Sequence, residues 1–257
     1  MGALLCDIRD SIASVTLSNP GKLNALDVAM WQQLQQLFSA LSADTSLRCI
    51  ILRGTDGNFA AGADIAEFAS VRHDLASGMH YHNHTLALAL QAISDCLHPV
   101  VAAIDGVCVG GGLEIACAAD IRIAAPSARF GIPINRLGFP LAPGEMQALL
   151  ALVGPAVALE ILLEGRVFDA AEAKDKGLIQ RLADDVHAEA QQTATRIARG
   201  APLAARMNKQ LARRFRVLAA PLSEEEMRAA FAFLESIDYR EGVSSFLNKT
   251  PPRFTGS

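Results

Sequence analysis

The chain has 257 residues, of which 51% are hydrophobic, 19% charged and 5% aromatic, and its formal net charge is −4. So acidic a balance with so few rings provides neither the basic field nor the stacking platforms that phosphate-rich polymers require, which excludes nucleic acid as the expected partner. The apolar share is enough to bury a large core, which excludes a mostly disordered chain. Five cysteines (Cys6, Cys49, Cys96, Cys108, Cys117) form no C-x-x-C pair and sit mostly in apolar runs, so reduced thiols and a cytoplasmic setting are expected. The start of the chain shows no basic-then-apolar export signal, and no apolar run reaches the roughly 20 residues of a membrane helix, so neither export nor a membrane contact is expected.

In chain order, residues 4–9 and 12–17 are short apolar-rich runs that predict a hairpin, closed off by the turn Asn19-Pro20-Gly21. Asp27 is placed to cap a helix whose stripe Trp31, Leu34, Phe38 and Leu41 marks it as a core element. Residues 49–52 read as a buried strand opening into a loop of small residues, 54–64, where backbone is free to face a ligand. Met79, His82, Leu86, Leu90 and Ile93 form one stripe of a long helix ending before His98-Pro99. His80, His82 and His84 alternate, which on a helix spreads them apart, so they are expected as solvated or core-edge side chains and no metal site is expected.

The stretch 102–120 joins a β-branched run to Gly110-Gly111-Gly112 and then to an apolar helical segment carrying one carboxylate, Glu114. Three successive glycines suit a positive φ or a close approach of main chain, and the free amides that begin a helix suit a developing negative charge. Neither the dinucleotide fingerprint nor the phosphate loop fits the glycine spacing. Gly106-Val107-Cys108-Val109-Gly110 does fit a nucleophile elbow, which leaves a hydrolase with a Cys108 nucleophile and His187 as an alternative class. Farther on, residues 121–124 read as a strand, 130–143 as a broken loop, 149–163 as helix, 170–176 as a short helix and 179–182 as a last strand. Helices are then expected over 184–199, 202–218, 223–236 and 238–248. Strands with interleaved helices followed by helices alone predict an α/β core over 1–183 and a helical C-terminal region over 184–257.

Several separated pieces together resemble the crotonase, or enoyl-CoA hydratase/isomerase, family over nearly the whole chain. They are Asn19-Pro20 with Asn24-Ala25-Leu26, Phe59 through Ile65, Asp105-Gly106 through Glu114, Ala119-Asp120-Ile121-Arg122, Phe130-Gly131-Ile132-Pro133, residues 170–177, and Tyr239-Arg240-Glu241-Gly242 with Phe246-Leu247. The resemblance implies a spiral of β-β-α turns with a helical C-terminal layer, homotrimers or dimers of trimers built through residues 184–257, and acyl-CoA substrates with no other cofactor. It also implies an enolate held by the amides of Ala63 and Gly111, with Glu114 as the acid/base group and water added to, or a double bond moved in, an enoyl-CoA. It assigns CoA contacts to Lys22, Ala61, Ala63, Asp64, Ile65, Ala66, Gly111, Ile134 and Lys249, and an acyl pocket to residues 71–84.

The chain departs from that pattern where hydratases carry a second glutamate, because the residue after Pro133 is Ile134, which can neither take nor give a proton. A carboxylate stands instead at Glu145, where it is either a relocated acid/base group or an ordinary first-turn residue of a helix. Asn135 and Arg136 are further polar groups beside the gap, and an arginine there suits a substrate carboxylate or a surface ion pair. Decarboxylation of a carboxyacyl-CoA, thioester hydrolysis and CoA binding without turnover therefore stand as alternatives to hydration.

Overall fold

In the computed structural model, which describes residues 2–215 and 222–257, Ala3–Arg9 (β1) and Ile12–Ser18 (β2) pair antiparallel as the expected hairpin. The helix Val28–Ala43 (α1) begins at Asp27, whose carboxylate accepts the Met30 N–H at 2.8 Å, and it buries Trp31, Leu34, Phe38 and Leu41. Cys49–Gly54 (β3) then runs parallel to β2, with Ile50 opposite Ala13. The loop that follows is locked by Asn24, whose Nδ2 donates to Thr55 O and Asn58 O at 2.9 Å each. Asn19 likewise donates to Ala25 O at 2.7 Å, so the asparagines of the recognised motifs brace backbone rather than supply chemistry.

Short helices Phe68–Val71 (α2) and Leu75–His80 (α3) lead through a π-helical turn, Tyr81–Leu86, into Ala87–Asp95 (α4). Val100–Ile104 (β4) is buried along its whole length, as a parallel strand covered on both faces must be. Val107–Val109 (β5) precedes Gly111–Ala118 (α5), and the same pattern recurs with Ile121–Ala124 (β6), Arg129–Gly131 (β7) and Pro143–Glu164 (α6). In each repeat the first strand joins a six-stranded sheet, ordered β1-β2-β3-β4-β6 and ending at Arg181–Leu182 (β9). The second strand joins a small sheet, β5-β7 with Phe168–Asp169 (β8). Stacked turns of this kind are the predicted β-β-α spiral. Ala170–Asp175 (α7) connects β8 towards β9.

Strands β5, β7 and β8 had no counterpart in the sequence reading, which expected one strand before α5 and a loop over 130–143. At two or three residues each they are too short to show alternation. Arg122 is buried and donates to Leu178 O at 2.8 Å and Ala119 O at 2.6 Å, tying the end of α5 to the segment before β9. Helix α6 bears on the expectation that no apolar run reaches membrane length: by length and composition alone its 22 residues would suffice to cross a membrane. Gly154, with φ 72° and ψ 170°, and Pro155 break it, so neither half approaches the roughly 20 residues a span needs.

Beyond β9, Val186–Arg199 (α8) covers one face of the large sheet through Val186, Ala190 and Ala194. Pro202–Arg214 (α9) buries no residue of its own and is tied to the core by polar contacts, including Lys209 Nζ to His98 O at 2.7 Å. The last three residues of the helix expected over 202–218 lie outside the described residues. Glu224–Phe231 (α10) and Ile237–Asn248 (α11) return to the opposite side of the molecule, where Phe231, Leu234 and Tyr239 join the main core.

Candidate active site

Two backbone segments meet at the start of α5. Gly110 adopts φ 52° and ψ −127°, a conformation open essentially to glycine, and its N–H donates to Gly131 O at 2.9 Å. Across from it, Leu26 N donates to Gly62 O at 2.7 Å and Asp64 N to Leu26 O at 2.8 Å. Among the described residues the N–H groups of Ala63 and Gly111 make no such bond. A Cβ on Gly111 would lie 3.5 Å from Ala63 N and 2.9 Å from the Trp31 ring, while one on Gly62 would lie 3.0 Å from Gly111 N. The two amides are therefore close neighbours, and glycine is what allows it. Trp31, expected as a core residue, is also the floor under this pair.

Both amides open into a cavity of about 410 Å³. Of the predicted residues Ala61, Ala63, Ile65, Gly111, Glu114, Ile134 and Glu145 line it. Lys22, Asp64 and Ala66 stand outside beside Ile65: Lys22 Nζ meets Asp64 Oδ2 at 2.5 Å, and the other carboxylate oxygen accepts the Ala66 N–H at 3.2 Å. Lys249 ends α11 in a left-handed conformation and does not line the cavity. Arg136 lines it with an exposed side chain, and Asn135 instead donates to Leu163 O at 2.9 Å.

Glu114 stands one turn into α5 and is 6% exposed, with Oε2 buried and, among the described residues, without a hydrogen-bond partner. Burial raises its carboxyl well above the ordinary value, the negative charge of Glu145 adds to the rise, and the Arg72 cation opposes it. Glu145 lies in the first turn of α6, as expected, yet it is 3% exposed and Oε1 accepts the His82 Nδ1–H at 2.5 Å. Arg72 Nη2 in turn donates to His82 Nε2. An imidazole that accepts at Nε2 and donates at Nδ1 is neutral, in agreement with burial pushing the His82 pKa down.

His82 is thus neither solvated nor at the core edge as the sequence suggested; the π-helical turn carries it into the cavity. Arg72 was not singled out at all. Its guanidinium carbon lies 4.1 Å from the Phe68 ring centroid and 4.4 Å from that of Phe139, with Tyr81 and Tyr239 farther out. The signal that could have found it is a charged residue at the head of the segment where the resemblance placed the acyl pocket.

The Cys108 alternative does not survive. Val107 and Val109 line the cavity, so strand alternation turns Cys108 into the core, where it is fully buried and its thiol is held far above the ordinary range by burial. Among the described residues no group of three or more His, Cys, Asp or Glu is placed to hold a metal ion.

The sequence matches the family model described as enoyl-CoA hydratase/isomerase over residues 7–257. A 2,3-dehydroadipyl-CoA hydratase of Escherichia coli K12 is 34% identical, with 100% of each chain covered. The crystal structure of an enoyl-CoA hydratase/carnithine racemase from Magnetospirillum magneticum is similar with a TM-score of 0.82 and 43% identity, covering 100% of this chain and 97% of that one. A methylmalonyl-CoA decarboxylase in complex with 2-nitronate-propionyl-CoA is similar with a TM-score of 0.88 and 26% identity, covering 99% and 98%. Full-length matches of this kind, on top of a spiral fold with two free amides facing a buried carboxyl, settle the lineage: the chain belongs to the enoyl-CoA hydratase/isomerase family, the crotonases, whose substrates are acyl-CoA thioesters.

Proposed function

We propose that this chain adds water to an enoyl-CoA, with the thioester carbonyl held by the Ala63 and Gly111 amides and the proton work shared by Glu114 and Glu145. The observation that carries the reading is the bare Oε2 of Glu114, a buried acid in the same cavity as two unbonded amides. Water adds to the β-carbon and gives a proton to Glu145, the electron pair of the double bond moves onto the thioester oxygen between the amides, and Glu114 delivers its proton to the α-carbon. Exchange with solvent then restores both carboxyl groups. Glu145 in this scheme takes the place of the missing carboxylate at Ile134. Ala61, Ile65 and Ile134 are the wall residues of the substrate, and Lys22, Asp64, Ala66 and Lys249 are the outer contacts for CoA.

The test is loss of enoyl-thioester absorbance with crotonyl-CoA. Glu145→Gln should lower kcat/KM by about 10²-fold, the scale of losing one acid/base group, and adding Ile134→Glu to that variant should recover part of the loss. Wild-type turnover retained by Glu145→Gln would remove Glu145 from the mechanism. Decarboxylation of a carboxyacyl-CoA is the second reading, supported by the likeness to the decarboxylase and by the apolar Ile134, against which a departing carboxylate would be desolvated. An enzyme inert towards crotonyl-CoA that releases CO2 from methylmalonyl-CoA would put it first.

The region 184–257 is proposed to build a trimer. On α9 Leu203, Met207 and Leu211 are exposed at 75%, 52% and 43%, an apolar stripe on a helix whose inward contacts are polar. Sedimentation equilibrium should give the mass of three or six chains. Free thiols at all five cysteines suit a reducing, cytoplasmic setting for this chemistry.

A further inference from the structure

The least explained group in the cavity is Arg72. It is 3% exposed, lines the cavity, and is stacked against aromatic rings that keep water away. Its Nη2 uses one hydrogen on His82, while among the described residues Nε and Nη1 meet no partner at ordinary hydrogen-bond distance, the Tyr239 side chain being a polar neighbour of the guanidinium. Buried N–H donors without acceptors are uncommon in native folds. Glu145 balances the charge only through the neutral His82 ring, and does nothing for these donors.

The guanidinium presents two forked edges, one made by Nε with Nη2 and one by Nη1 with Nη2. With a single Nη2 hydrogen committed, one fork remains complete, and a fork of parallel N–H groups matches the two oxygens of a carboxylate. The thioester oxygen is already served by the Ala63 and Gly111 amides. A phosphate, with its greater charge, would have to enter beside Glu114 and Glu145, whereas a single carboxylate is planar and bears one charge. Arg136, the arginine that the sequence offered for this task, is exposed, so water competes for it and weakens any discrimination.

We propose, building on the hydratase reading, that the preferred substrate is an enoyl-CoA whose acyl chain ends in a second carboxylate, and that Arg72 grips this carboxylate. The carboxylate is retained through turnover rather than lost. A charge-assisted fork stabilises the ionised group, and departure as CO2 would forfeit that contact, so Arg72 opposes decarboxylation of what it holds.

Binding of saturated ligands separates this proposal from the reaction, since none of them can be hydrated. Succinyl-, glutaryl- and adipyl-CoA are titrated calorimetrically into the full chain beside butyryl-, pentanoyl- and hexanoyl-CoA. At least one diacid thioester should bind roughly 10- to 100-fold more tightly than its neutral partner, the scale of a hydrogen-bonded charge pair. Arg72→Met should abolish that preference, and Arg72→Lys, which keeps the charge but lacks the fork, should retain only part of it. Wild-type affinities within about threefold for all three pairs, or a loss in Arg72→Met that is equal for both members of a pair, would overturn the proposal. The wild-type comparison stands even if Arg72→Met does not fold, which circular dichroism would show. Failure of the hydratase reading is seen separately, in the crotonyl-CoA assay.

Discussion

Glu114→Gln is expected to lower kcat/KM for an enoyl-CoA by about 10²- to 10⁴-fold, the range for removing a positioned acid/base group, while making the protein more stable at neutral pH. Both effects come from the same burial. Desolvation, with the Glu145 charge behind it, raises the Glu114 carboxyl in the folded chain well above the ordinary 4.5, and Arg72 only partly opposes this. Below the unfolded value the group is neutral in both states and its burial carries no charge penalty. As pH climbs past that value the unfolded chain releases its proton first, so stability is lost until the folded group ionises as well. Glutamine is neutral throughout. Melting temperatures of variant and wild type should therefore diverge from pH 4.5 towards pH 8, the variant being higher. A gap independent of pH would show that charge is not the cause, and full turnover in the variant would remove Glu114 from the chemistry.

Gly62→Ala should rank next. At φ +95° an alanine is strained, and its Cβ would sit 3.0 Å from both Gly111 N and Val109 O. The strain alone costs about 1–2 kcal/mol, and displacement of the amide pair should lower kcat by about 10²- to 10³-fold, as when one oxyanion donor is lost. Gly57→Ala separates the two effects. Gly57 also has a positive φ, +65°, but a Cβ there meets nothing within 4 Å, so that variant should lose stability and keep its activity. Equal activity in the two variants would mean that the amides are not where the carbonyl binds.

What could be read from the sequence was local. The Asp27 cap, the Trp31 stripe and the glycine cluster before Glu114 are spacing signals contained in a few turns of chain, and the structure reproduces them. The partnership of Arg72, His82 and Glu145 is not local: His82 and Glu145 are 63 positions apart, and only the docking of α6 on the π-helical turn makes them neighbours. The alternation of His80, His82 and His84 predicted rings spread apart, yet His80 and His84, four positions apart, stack with centroids 5.0 Å from each other; His82 alone points elsewhere, and its spacing could not show that it faces a carboxylate from another helix. The small sheet escaped for a related reason, since strands of two or three residues are specified by the neighbours that they pair with and not by their own pattern.

The π-helical turn also bears on chain length in a way that substitutions do not probe. Such a turn holds one residue more than the helix around it would. Removing a single codon within residues 81–86 would let the segment relax to ordinary α-helix with the turns on either side kept in phase, so Arg72, Glu114 and the two amides would hold their places. His82 is the member of the site that lies inside the turn, and it alone joins Glu145 to Arg72. One deletion there would uncouple the carboxylate from the cation without moving either, which makes the extra residue a local means of retuning the site.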